Sequence, residues 1–260
     1  MMTSIPSSVA LTTNPWLRPL TRSTHPRLRL LCIPPAGAGP HFYRTWATGL
    51  PEDVEALAIH LPGRENRFAE PLMTDYHDAV EAVYAGVRTA LGPLPYALFG
   101  HSMGALLAYG LALTAARMGD PVPEHLLLSG CSGPGSPPLK AGRGRWSDVE
   151  LVADLRAMGG TTTEVLENPE LLDLLLPILR ADYTLCESFR AAPPTGPLLS
   201  CPLTVLAGAD DDDHTPADLA RWADVSNGCF SQYTFSGGHF FLTHESARPV
   251  LTTVASALSR

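Results

Sequence analysis

Short, nearly continuous apolar runs recur along the chain, separated by stretches in which apolar residues fall three and four apart. Arg27–Ile33, Val54–Ile59, Tyr96–Phe99, His125–Gly130, Cys201–Leu206 and Phe230–Phe235 are the runs. Their length and their Pro/Gly borders predict strands, most of them covered on both faces. Between them, Val80, Val83, Tyr84 and Val87 give Asp75–Leu91 a helical period. Helices are also predicted over Phe42–Leu50, from the segment after Tyr96–Phe99 to Met118, over Pro216–Asp224 and from about Glu245 to Leu258. Strands alternating with helices make a mostly parallel α/β sheet. His60–Phe68 is polar, carries two arginines and reads as a solvated loop.

The alternation stops between Cys131 and about Ser200. A Ser/Gly/Pro stretch (132–138) opens this interruption and a second Pro-rich stretch (191–197) closes it. Helical signals lie at Asp148–Met158, Thr162–Leu166 and Pro169–Phe189. Asn168-Pro169 supplies an N-cap followed by proline at the first helical position. Pro177 predicts a kink or a break in the last of these helices. Leu171, Leu172, Leu174, Leu175, Leu176, Ile178 and Leu179 place apolar residues almost all round that helix, more than one buried face requires. A helical lid over an apolar channel accounts for the surplus. The chain thus divides into an arm over residues 1–26, rich in Ser, Thr and Pro and either extended or disordered, a core over 27–132 and 201–260, and a lid insertion over 133–200.

Length and charge narrow the classes. A chain of 260 residues with 45% hydrophobic residues can bury one sizeable core. A net charge of −8 argues against a general nucleic-acid surface. No apolar run has the length of a membrane span, and residues 1–14 lack the pattern of a secretory leader. The five cysteines form no C-x-x-C pair, which predicts free thiols and a cytoplasmic setting.

Chemistry concentrates after the Tyr96–Phe99 run, where Gly100-His101-Ser102-Met103-Gly104 fits G-x-S-x-G between a strand and a helix. That context is a nucleophile elbow, with Ser102 pushed out of the sheet. The chain order of the α/β-hydrolase fold then asks for an acid and, later, a histidine. Of His125, His214, His239 and His244, only His239 lies in a loop after a final strand, preceded by two glycines. The loop after the penultimate strand offers Asp210 to Asp213; the spacing G-x-x-D from Gly208 selects Asp211, with Asp210 as the alternative. The run lacks calcium-loop spacing, and no H-E-x-x-H occurs, so no metal site is predicted. Pro34–Pro40, a Pro/Gly loop after an early strand, stands where this fold supplies an oxyanion N–H.

The chain resembles the type II thioesterases, free-standing editing hydrolases of polyketide and nonribosomal peptide assembly lines. The resemblance runs from about Leu30 to the C-terminus. It rests on Leu61-Pro62-Gly63-Arg64-Glu65, on Phe99–Ala105, on Leu155–Thr161, on Leu176–Tyr183 and on Gly238-His239-Phe240-Phe241. It implies a Ser102–His239–Asp211 triad and oxyanion donors at the backbone N–H groups of Ala36 and Met103. The chain departs from the family pattern at Pro35, where histidine is usual, and at Asp212, where proline is usual. The implied substrate is an acyl thioester on the phosphopantetheine arm of an acyl or peptidyl carrier protein, with no cofactor of the enzyme's own and no nucleic-acid or membrane partner. A general serine esterase or lipase, and an acyl-transferring or cyclising thioesterase, share the same triad chemistry.

Overall fold

The computed structural model describes residues 14–137, 140–243 and 247–259. Seven strands, β1 (Leu17–Pro19), β2 (Leu28–Ile33), β3 (Val54–Ile59), β4 (Tyr96–His101), β5 (His125–Ser129), β6 (Leu203–Gly208) and β7 (Phe230–Phe235), form one sheet in the order β1-β3-β2-β4-β5-β6-β7. β1 runs antiparallel to β3, and every other neighbouring pair is parallel. The sheet is flanked by helices, as the alternation predicts.

Side chains of β2 show how the two faces are served. Leu31 and Ile33 join the core beneath α1 (Tyr76–Leu91) and α2 (Met103–Met118). Leu30 and Cys32 point the other way, toward Tyr43 and Trp46 of a 3-10 helix (Pro40–Thr48) and toward α7 (Ala247–Leu258). This is the period of two that a doubly covered strand imposes. α1 begins where the Asp75 carboxylate accepts from the His77 and Asp78 N–H groups. α2 is buried from Met103 to Leu113, so its apolar character all round has a cause: it is sandwiched. The chain leaves β2 toward one face and leaves β4 toward the other. Such divergence opens a crevice at the carboxyl ends of these two strands.

Between β5 and β6 lie α3 (Asp148–Met158), α4 (Thr163–Glu167) and α5 (Pro169–Ala191), followed after β6 by the short α6 (Pro216–Ala220). α5 serves two cores. Leu185, Cys186 and Phe189 enter the layer of α1 and α2, whereas Leu176, Leu179 and Tyr183 form a small cluster with Leu151 and Leu155 of α3. Pro177 does not divide α5, so of the kink or break expected there the break does not occur. It is exposed, as is Asp173 four residues earlier, so the carbonyl that loses its helical partner faces solvent. Part of the leucine surplus is exposed too, with Leu174 half open.

Two other expectations are corrected. Within the predicted arm, β1 pairs with β3, Leu17 is fully buried, and Trp16 lies under the Arg67 guanidinium at 4.2 Å. Three residues are too few to show an apolar period, which is why the strand escaped the pattern. Residues 1–13 of that arm, and His244 and Glu245 where the closing helix was expected to start, lie outside the described residues. The 60–68 loop is no solvated loop: His60, Arg64 and Arg67 are buried. Arg67 donates to the His60 carbonyl at 2.6 Å, and Arg64 pairs with an aspartate 118 residues away. All five cysteines are free, four of them buried.

If β1 belongs to the core, Leu17→Ala removes a fully buried leucine and lowers stability by about 2–5 kcal/mol in urea unfolding. A loss near zero means that residues 17–19 are a detachable arm.

Candidate active site

The crevice holds Ser102 at the turn from β4 into α2. Its backbone adopts φ 53° and ψ −118°, a left-handed conformation that a residue with a Cβ rarely takes. The turn is held by Ser102 N–H donating to the Ser129 carbonyl at 2.8 Å and Ala105 N–H donating to the Ser102 carbonyl at 2.9 Å. The glycines on either side are steric necessities. A Cβ on Gly100 would sit 2.0 Å from the Gly104 carbonyl oxygen, and one on Gly104 would sit 2.1 Å from the Ile33 carbonyl oxygen. The helix start can therefore lie directly against the end of β2, with Met103 as the first residue of α2.

Asp211 and His239, the expected acid and base, arrive on the loops after β6 and β7. His239 Nδ1 lies 2.8 Å from Asp211 Oδ2. A carboxylate can only accept, so Nδ1 carries the proton and Nε2 is the acceptor. Nε2 and the Ser102 hydroxyl make no hydrogen bond among the described residues, and both residues line one cavity of about 270 Å³. Asp210 is exposed and uses its N–H to reach the Gly237 carbonyl at 3.0 Å; the histidine bond belongs to Asp211.

Asp211 is buried between two imidazoles. His214 Nε2 stands 2.9 Å from the same Oδ2, outside hydrogen-bonding angles. Burial pushes the Asp211 carboxyl upward, but His214 and His239 outweigh it and hold the group well below the usual carboxylate range. Asp211 therefore stays ionised at neutral pH. Behind His239 lies His101, fully buried, its Nδ1 3.0 Å from Ser129 Oγ and its ring 4.9 Å from that of His239. Burial first, and then the nearby His239, push the His101 pKa well below the ordinary histidine value. It is a neutral wall, not a second base.

Ala36 sits on the loop after β2 and lines the same cavity. Its N–H, like that of Met103, has no hydrogen-bond partner among the described residues. The cavity wall comes from the inserted segment. Arg143 donates to both oxygens of Asp213 at 2.7 and 3.0 Å and to Asp154 of α3 at 3.1 Å. Lys140 reaches Asp213 and Asp154 at 3.2 Å. Asp211, Asp213 and His239 bring ligand-type atoms within 4.8 Å of one another, yet Asp213 is already matched by two cations and Asp211 by histidine. Cys131 and Cys186 also line the cavity, and burial pushes both thiols up to about 12.

The ties between insertion and core were missed by sequence reasoning, although one carried a signal. Asp182 falls on the apolar stripe Ile178, Leu179, Leu185, Cys186 and Phe189 of α5, a position where a charge needs a buried partner. A second cavity, of about 750 Å³, opens beside Arg27, Pro95 and Pro202 near the opposite ends of the strands, remote from this chemistry.

A family model described as "Thioesterase domain" matches residues 28–259. The chain is 35% identical over 229 residues to the gramicidin S biosynthesis protein GrsT of Aneurinibacillus migulanus, a match spanning 88% of each chain. Among solved structures, the type II thioesterase BorB from the borrelidin biosynthetic cluster superposes with a TM-score of 0.84 at 36% identity, covering 94% of this chain and 97% of that one. RedJ, a thioesterase of the prodiginine pathway in Streptomyces coelicolor, gives 0.84 at 33% identity, covering 91% and 92%.

The tight approach at the elbow gives a stability prediction. Gly104→Ala forces a Cβ into backbone and costs about 3 kcal/mol or more, whereas Gly119→Ala, with nothing within 4 Å, costs only about 1 kcal/mol for its left-handed φ. Equal losses in urea unfolding overturn this account of the turn.

Proposed function

Because the chain belongs to the thioesterase domain family, we propose that it is a type II thioesterase that hydrolyses acyl thioesters carried on the phosphopantetheine arm of a carrier protein. The observation that carries the reading is the cavity shared by Ser102, His239, Ala36 and Met103, with His239 bonded to Asp211 behind it. GrsT, named for gramicidin S biosynthesis, BorB, a type II thioesterase of the borrelidin cluster, and ClbQ, of the colibactin NRPS/PKS pathway, support the substrate class and the role of clearing aberrant acyl groups.

The reaction follows from the geometry. Ser102 Oγ attacks the thioester carbonyl and gives its proton to His239 Nε2, while Asp211 stabilises the imidazolium. The carbonyl oxygen, now an oxyanion, takes hydrogen bonds from the free N–H groups of Ala36 and Met103, and the N-terminus of α2 favours its charge. The carbon–sulfur bond breaks, and the arm leaves as a thiolate that takes the proton from His239. Water, deprotonated by His239, attacks the acyl-Ser102 ester through a second tetrahedral intermediate. The acid leaves and the Ser102 hydroxyl is restored.

The cavity has a cationic rim that suits a phosphodiester arm. Arg145 and Arg190 are exposed at its edge and have no ion-pair partner among the described residues. In a chain of net charge −8, this local patch supports docking of an anionic carrier. The insertion is the lid in this reading. Discrimination among acyl chains by its apolar surface amounts to only about 1–3 kcal/mol per methylene, which favours broad acyl tolerance.

Loss of the acyl group from an acetyl- or propionyl-loaded carrier protein, followed by intact mass, tests the reading. Release by the wild type that disappears in Ser102→Ala is the expected result. Cleavage of a p-nitrophenyl ester without unloading of the carrier assigns a general esterase instead. Asp211→Asn lowers kcat on the order of 10³–10⁴-fold by favouring the wrong imidazole tautomer, whereas Asp210→Asn leaves it within about twofold. The opposite ranking moves the acid to Asp210.

A further inference from the structure

The loop bearing Ala36 is a four-residue turn, Pro35-Ala36-Gly37-Ala38, closed by Ala38 N–H donating to the Pro35 carbonyl at 3.2 Å. Gly37 stands at its third position with φ +76°, the value a type II turn asks of that residue. A trans peptide points its N–H opposite to its C=O. With the Pro35 carbonyl turned inward across the turn, the Ala36 N–H points outward, and Ala36 lines the cavity of Ser102 and Met103.

What holds this turn in place comes from far along the chain. Asp182 Oδ2, on α5, accepts from the Gly37 N–H at 2.8 Å. The same carboxylate takes a two-pronged pair of bonds from Arg64, Nη1 to Oδ2 and Nη2 to Oδ1, each 2.8 Å. Arg64 Nη1 also donates to the Ala38 carbonyl at 3.0 Å, and Nε donates to the Pro62 carbonyl at 3.2 Å. Both charged side chains are almost wholly buried, with 4% and 1% exposed. The turn is thus gripped on successive residues by a buried ion pair, and Leu179 of α5 stands 3.2 Å from where a Gly37 Cβ would be. Among the described residues the pair makes no hydrogen bond or ion pair with Ser102, Asp211 or His239.

We propose that Asp182 and Arg64 are positioning residues of the oxyanion hole: through them α5 of the insertion sets the direction of the Ala36 N–H. The proposal rests on the reading of Ser102 as nucleophile and Ala36 as donor. It makes α5 a fixed part of the catalytic frame.

The test replaces the pair by apolar residues of similar volume, Arg64→Met with Asp182→Leu, which leaves no unpaired buried charge. Arg64→Lys, which keeps the charge but not the fork, is the second variant. Each is compared with the wild type and Ser102→Ala on one acyl-loaded carrier. Two ligands separate ground state from transition state: a trifluoromethyl ketone analogue of the acyl arm, which forms an oxyanion adduct with an active serine, and the inert amide analogue. In the double variant kcat is expected to fall on the order of 10- to 100-fold with KM within about twofold. Affinity for the ketone should fall by the same factor as kcat/KM, while amide affinity holds. Arg64→Lys should lie between, and it decides the matter by the same readouts if the double variant does not fold. Wild-type kcat and ketone affinity in a folded variant overturn the positioning role, as does an equal loss of amide and ketone affinity. Turnover surviving in Ser102→Ala overturns the underlying reading instead.

Discussion

The end of β2 and the start of α2 are in backbone contact at Gly104, with no space between them for even one methyl group. Much of the site's geometry follows from this closeness. It forces Ser102 into its left-handed conformation, which lifts the hydroxyl out of the sheet. It also brings the loop after β2, with Ala36, beside the first N–H of α2. The Ser102 hydroxyl and the Ala36 and Met103 N–H groups are thereby placed around one cavity. The strain at Ser102 is tolerated because β4 is bonded to β2 on one side and β5 on the other, and Ser129 of β5 fixes the Ser102 N–H directly.

Around this point each catalytic loop is held by the insertion. Asp182 holds the loop after β2, Arg143 holds Asp213 on the loop after β6, and Gly160 packs under the ring of Phe240 beside His239. The first two contacts are charged and nearly closed to solvent, the third is apolar. A segment expected to act as a cover is therefore also a scaffold. Rigid support of this kind is what preorganised donors require, since a hole that had to assemble during the reaction would lose much of its electrostatic benefit.

The strands and the elbow were legible because their signals are local: a buried strand is a short apolar run, and a strained turn needs glycines at fixed offsets. Asp211 was legible through a spacing, and the structure places it, not Asp210, against His239. Arg64 was misread because a loop with two arginines looks solvated until its partner is known, and that partner is 118 residues away. The partner itself was readable. Asp182 interrupts an apolar stripe, and a charge there implies a cation brought to it by the fold. β1 was missed for a different reason. Its pairing is carried by backbone bonds to β3 and by one buried leucine, and three residues cannot display a period.

The two cysteines in the cavity wall bear on where an acyl group can go. A thioester entering this cavity meets two thiols besides the Ser102 hydroxyl, and in free solution the thiols would be the better acceptors. Burial keeps Cys131 and Cys186 protonated, with pKa values near 12, and a neutral thiol scarcely attacks a carbonyl. Exchange of the acyl group onto sulfur, which would regenerate a thioester and trap the enzyme, is thereby suppressed. The same protonation shields both cysteines from alkylating reagents that enter the cavity.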